Sequence, residues 1–183
     1  LITIPTPKSS ALNAIVYSFL ATIRALFGRY DVIHFHAEGP CTMLWIPKLF
    51  RKHVVATIHG LDWQRSKWGG FASRVLKFGE KMAAKYADEV IVLSQNMQDY
   101  FNNNYGRKTI YIPHGIVKPE LKDADIITHK YGLEKDSYIL FLARIVPEKG
   151  LHYLIEAFYQ IKTDKKLVIA GGSSHSHEYM EQI

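Results

Sequence analysis

"YILFLARIVPEKGLHYLIEAF", residues 138–158, begins as a short apolar run and ends with apolar side chains at 151, 154, 155 and 158. The run predicts a buried strand over 138–143, and the 3.6-residue period a helix over 151–161. Between them lie Arg144, Pro147, Glu148, Lys149 and Gly150. A turn of this kind sits at the carboxyl end of its strand, where open α/β sheets bind ligands. Gly150 opens a helix whose first N–H groups are unpaired and whose end carries partial positive charge. Arginine grips two oxygens at once and lysine acts as a mobile point charge. Two cations beside a helix start therefore suit a diphosphate. The competing reading is a surface pairing of Glu148 with either cation, which contributes little.

Upstream, the same alternation recurs. Apolar residues at 12, 15, 16, 19, 20, 23, 26 and 27 predict a helix with Ser9 or Ser10 as cap and Gly28 as stop. "DVIHFHA" reads as a strand, Pro40 starts a short helix through Phe50, and "HVVATIHG" is a β-branched strand closing on glycine. After the loop "LDWQRSKWGG" come a helix over 71–86, the strand "DEVIVLS", a helix capped by Ser94 and the strand "KTIYIP". Periodicity lapses over 114–125, then resumes with a short helix ending at Gly132, the strand and helix quoted above, and the strand "KLVIAGG". Nearly continuous apolar strands alternating with helices predict an α/β fold of Rossmann-like parallel sheets covered by helices. The lapse divides it into a first domain, 1–117, and a second, 118–183, with too few strands for a full core of its own.

Bulk composition narrows the class. The chain has 183 residues, 48% hydrophobic and 22% charged, as expected of a globular protein. A single cysteine, Cys41, excludes a disulfide framework and fits a reducing compartment. No apolar run approaches the roughly 20 residues of a membrane span. "LITIPTPKSS" lacks the basic and apolar regions of a signal peptide. The formal charge of +6 favours anionic partners. The chain begins at Leu1 and stops at Ile183 inside a helical pattern, so segments are expected beyond both ends.

Polar and glycine residues gather just after each strand: His36 and Glu38; His59, Gly60 and Asp62; Ser94; His114 and Gly115; Arg144 and Lys149; Gly171, Gly172 and Ser173. "GGSS", 171–174, is a second phosphate-compatible turn. His59 closes a buried strand, where a histidine is either a backbone-bonded structural residue or a ligand contact. His34 and His36 share one strand face, but no third ligand stands at zinc spacing. Trp63 and Trp68 are either sugar or lipid platforms or loop anchors.

Taken in order, these segments resemble the GT-B-fold retaining glycosyltransferases of the "glycosyl transferases group 1" family. "LFLARIVPEKGLHYLIEAF" resembles the start of its nucleotide-sugar domain, "VIVLSQNMQDYF" a strand and capped helix, and "IYIPHGI" its "IPNG" segment with His114 for asparagine. "DVIHFHAEGP" and "VVATIHGLDWQRSKWGG" are similar to the acceptor-side domain, the latter to members that build bacterial capsule or cell-wall polysaccharide. The resemblance implies two Rossmann-like domains facing across a cleft, the acceptor bound mainly to the first and the donor to the second.

Carried over by residue, Arg144 and Lys149 neutralise the donor diphosphate, with Gly150, Gly171 and Gly172 beside it. His59 hydrogen-bonds the transferred sugar, and His36, Glu38, Asp62 and Trp63 lie on the acceptor side. No cofactor or metal is implied. The partners implied are a nucleotide-sugar and a saccharide or polyprenyl-linked acceptor, with peripheral membrane contact and no nucleic acid. The location implied is the cytoplasm or the inner face of the membrane. The family's first strand with its glycine-rich loop, and the glutamate motif that holds ribose and sugar, are expected outside residues 1–183. The 183 residues alone are therefore expected to be inactive and to self-associate through apolar faces at Leu154, Ile155 and Phe158. The alternatives are a nucleotide-sugar epimerase of similar fold and a non-catalytic nucleotide or polyanion binder.

Overall fold

The computed structural model describes residues 2–6, 10–65, 68–172 and 177–183. It divides into two compact units, Leu1–Ile116 and Val117–Ile183. The alternative cap Ser9 and the Ser173–Ser174 half of the phosphate-compatible turn lie outside the described residues.

The first unit carries a four-stranded parallel sheet, β1 (Val32–His36), β2 (His53–Ile58), β3 (Glu89–Val92) and β4 (Ile110–Tyr111), paired in that order. Its helices are α1 (Ser10–Leu26), α2 (Glu38–Cys41), α3 (Trp45–Leu49), α4 (Gly70–Tyr86) and α5 (Gln95–Tyr105). The core is Ile33, Phe35, Val54, Ala56, Ile58, Val90 and Val92 from the strands, closed by Leu44, Ala83 and Phe101. β-branched residues fit this pleated, doubly covered surface, whereas alanines on α4 let the helix lie close. Along β1 the alternation is strict: Ile33 and Phe35 are buried, while Val32, His34 and His36 face out.

Two elements differ from the sequence expectation. The helix foreseen from Pro40 to Phe50 is broken into α2 and α3. Pro47 has no N–H to offer the Met43 carbonyl, which instead accepts Ile46 N–H at 3.0 Å in a tighter turn. The strand foreseen in "KTIYIP" pairs over only Ile110 and Tyr111, both exposed, at the edge of the sheet beside β3. The caps behave as read. The Ser94 hydroxyl accepts Met97 N–H at 3.3 Å, and Gly132 ends its helix in the left-handed region; Gly106, which the sequence reading did not single out, ends α5 in the same way.

The second unit has α6 (Ile126–Tyr131), β5 (Tyr138–Leu142), α7 (Leu151–Gln160), β6 (Lys166–Ala170) and α8 (His177–Gln182), with β5 and β6 parallel. Leu133, Val146 and Leu151 are its buried apolar residues. Leu154, Ile155 and Phe158, expected to face solvent, are half-buried. Exposure falls instead on Leu140, Leu142 and Ile169 of the strands. Among the described residues no helix is long and apolar enough to cross a membrane.

Candidate functional site

In the first unit, the carboxyl ends of β1 and β2 bring four histidines together. The parallel register sets His36 opposite Thr57, so His59, two residues further on, rises beside it. His36 Nδ1 and His59 Nε2 are 3.2 Å apart, a hydrogen bond in which one ring donates and the other accepts. His59 also stacks on His114, which follows β4, with centroids 5.5 Å apart. His34 lies behind, its ring 4.1 Å from that of His36 and its Nε2 2.7 Å from Thr57 Oγ1. His59 is thus held by imidazoles rather than by backbone. Burial lowers the pKa of both His34 and His59, and neighbouring histidines lower it further; for His59, Asp62 opposes weakly. Both rings stay neutral to lower pH than a free histidine, and a neutral ring can donate or accept a hydrogen bond. Among the described residues no three histidine, cysteine or carboxylate side chains are arranged to hold a metal ion.

Glu38 does not join this cluster. Ala37, at φ 68° and ψ 165°, is forced into a region few non-glycine residues adopt, and the chain turns inward after β1. Glu38 is then fully buried beneath α4, and neither carboxyl oxygen makes a well-formed hydrogen bond. It faces Glu80 of α4. Burial first, then the charge and hydrogen bonding of Glu80, push its pKa up to about 8; the Trp63 backbone N–H opposes this more weakly. The acceptor-side assignment of Glu38 is corrected: a group with no exposed surface cannot meet an acceptor.

Glu80 is in turn surrounded by donors. Trp63 Nε1 donates at 2.8 Å, Tyr100 Oη at 2.9 Å, and the Tyr105 hydroxyl donates to the same oxygen as Tyr100. Trp63 is therefore an anchor of the 60–69 loop, with Lys77 Nζ 3.8 Å over its ring. Asp62 is half-buried and pairs with Arg65 at 3.0 Å. The sequence reading missed Glu80 and its tyrosines altogether. The one available signal was a lone acid in the apolar register of a helix.

In the second unit, Arg144 and Lys149 are both exposed at the carboxyl end of β5. Pro147–Lys149 form a single 3-10 turn, and Gly150, at φ 69°, both ends that turn and starts α7. A left-handed residue is needed at that joint, which glycine adopts without strain. The strand ends are tied by Ala143 N–H to the Ala170 carbonyl and Ile145 N–H to the Gly172 carbonyl. A methyl group on Gly171 would overlap the Ala143 carbonyl oxygen and lie 3.0 Å from its carbon, so this turn requires glycine. One helix-start donor is already taken: Tyr179 Oη accepts from His152 N–H at 3.3 Å and meets His152 Nδ1 at 2.7 Å.

Comparison with known proteins gives a consistent result for both units. Residues 2–117 match the model of Glycosyltransferase Family 4, and residues 123–183 that of Glycosyl transferases group 1. An uncharacterized glycosyltransferase of Bacillus subtilis (strain 168), YqgM, is 31% identical over 150 residues, covering 78% of this chain and 40% of that protein. An alpha-D-kanosaminyltransferase of Streptomyces kanamyceticus is 25% identical over 158 residues, covering 76% of this chain and 41% of that protein. The chain thus spans about two fifths of the curated relatives it matches. A sucrose-phosphate synthase from Thermosynechococcus elongatus has a similar fold, with a TM-score of 0.70 at 20% identity over 97% of this chain and 47% of that one.

Proposed function

The chain belongs to Glycosyltransferase Family 4, and from that premise we propose that the protein it represents moves a sugar from a nucleotide-sugar donor to a saccharide or lipid-linked acceptor, with retention, in bacterial polysaccharide synthesis. The observation that carries the reading is the Arg144–Lys149 turn, with two exposed cations at the end of β5 beside a helix start. Breaking a glycosidic bond to a diphosphate builds negative charge on the leaving oxygen. Fixed cations there stabilise the transition state more than the ground state. Gly171 and Gly172 are exposed at the end of the neighbouring strand, where the Gly172 carbonyl accepts Ile145 N–H of this turn. This chemistry needs no cofactor, and cations in place of a metal can stabilise the leaving group.

Charge-assisted hydrogen bonds contribute roughly 1.5–3 kcal/mol each. Arg144→Ala in the whole protein is therefore expected to weaken donor binding at least about tenfold. Calorimetric titration with a panel of nucleotide-sugars measures this, and an unchanged affinity for the donor that binds would remove the turn from the site. An epimerase would instead interconvert the nucleotide-sugar without an acceptor.

His59 is the proposed contact to the transferred sugar. His59→Ala should lower turnover far more than it weakens binding of the bare nucleotide. Equal turnover per folded molecule, with reduced stability, would make His59 a structural member of the histidine cluster.

A further inference from the structure

His59 stands just beyond the last residue of β2, where the ladder has ended and no longer holds the backbone. His36 is the last residue of β1, and there the pairing runs on: Ala37 N–H donates to the Thr57 carbonyl at 2.9 Å. The His36 ring is backed by that of His34, 4.1 Å away, and His34 Nε2 meets the hydroxyl of buried Thr57 at 2.7 Å. A paired strand with a second ring behind it therefore carries the nitrogen, His36 Nδ1, that lies 3.2 Å from His59 Nε2. Among the described residues this is the one hydrogen bond to the His59 ring. The stack on His114, with 16° between planes, sets the tilt of the ring. A stack does not distinguish the two nitrogens, whereas a directional hydrogen bond does.

We propose that His36 is a positioning residue for His59: it accepts the Nε2–H of His59 and so leaves the His59 Nδ1 lone pair as the acceptor for a hydroxyl of the transferred sugar. This rests on the reading of His59 as the sugar contact and adds to it the atom that makes the contact and the residue that orients it. The direction of the bond follows from tautomer preference. A neutral histidine favours the Nε2–H form. With His59 donating, both rings keep that form; with His36 donating, both must take the rarer Nδ1–H form. Burial and the neighbouring histidines hold His59 neutral to lower pH, so Nδ1 keeps its lone pair. A group that fixes a neighbour's ring in this way acts on the reaction without touching the substrate.

The test joins ring spectroscopy to kinetics on the whole protein. Proton–nitrogen correlation spectra of the histidine rings, with His59 assigned by its absence from the His59→Ala spectrum, are expected to show His59 in the Nε2–H form with a slowly exchanging ring proton. His36→Leu should lose that protection. It should also lower turnover of the nucleotide-sugar that binds from the panel about tenfold, with KM near the parent's. His36→Asn, which returns an acceptor near the place of Nδ1, should recover most of the turnover. His36 is exposed, so unchanged thermal melts are expected for both variants. An Nδ1–H form of His59 in the parent overturns the proposal. So does parental turnover in His36→Leu while His59→Ala is slowed; the sugar contact then stands without its positioning residue. A His36→Asn variant as slow as His36→Leu overturns it as well, since lost packing then accounts for the effect. Parental turnover per folded molecule in His59→Ala removes the sugar contact itself, and this proposal with it.

Discussion

Glu38→Gln is expected to flatten a fall in stability that the parent protein shows between about pH 4.5 and pH 8. The sign follows from proton counting. The Glu38 carboxyl has its pKa raised from 4.5 to about 8 on folding. Between those values the folded chain holds a proton that the unfolded chain has released. Stability is therefore greatest below the unfolded pKa and declines as pH rises through the folded one. The slope is up to roughly 1.4 kcal/mol per pH unit, several kcal/mol across the window. Below it, the protonated acid can donate to Glu80, where two carboxylates would only repel. Glutamine keeps the shape and a donor but cannot lose a proton, so its urea midpoint should vary less with pH and exceed the parent's at pH 8. Trp63, bonded to Glu80, provides a fluorescence readout at the pair. Identical pH profiles for parent and variant would show that Glu38 carries no proton in the fold.

Gly79→Ala should cost about 3 kcal/mol or more, measured as a drop in urea midpoint at constant slope. A methyl group there would overlap the Glu38 carbonyl oxygen, lie 2.9 Å from its carbon and sit 3.2 Å from Thr42 Cγ2. The obstacle is backbone at the start of α2, which cannot rotate aside as a side chain can. α4 would have to lift from α2, opening the chamber that holds Glu38 and Glu80. Gly69→Ala, where nothing lies within 4 Å, is the control and should stay near parental stability. A variant at Gly79 as stable as the parent would mean that the two helices tolerate a wider gap.

The local order of this chain was legible without coordinates. Apolar period separated strand from helix at "DVIHFH", "HVVATI" and "YILFLA" because periods of 2 and 3.6 are local properties of the chain. Ser94 and Gly132 marked helix ends because capping is satisfied within a turn. The Arg144–Gly150 turn could be read for the same reason: its cations, glycine and helix start lie in one short segment. The histidine cluster could be read only in part. His59 and His36 were visible as strand-end residues, yet their hydrogen bond and the stack on His114 depend on the parallel register of β1 and β2 and on where β4 ends. Glu38 shows the limit most clearly. In sequence it is a polar residue after a strand, like His36. In the fold, the positive φ of Ala37 and the close approach allowed by Gly79 carry it beneath α4 against Glu80. The sequence by itself determined most of the elements, the ends capped at Ser94 and Gly132, and the cationic turn, since each rests on neighbours along the chain. The tertiary structure alone decided which charged side chains meet solvent and which are buried beneath α4, since burial is set by residues distant in sequence.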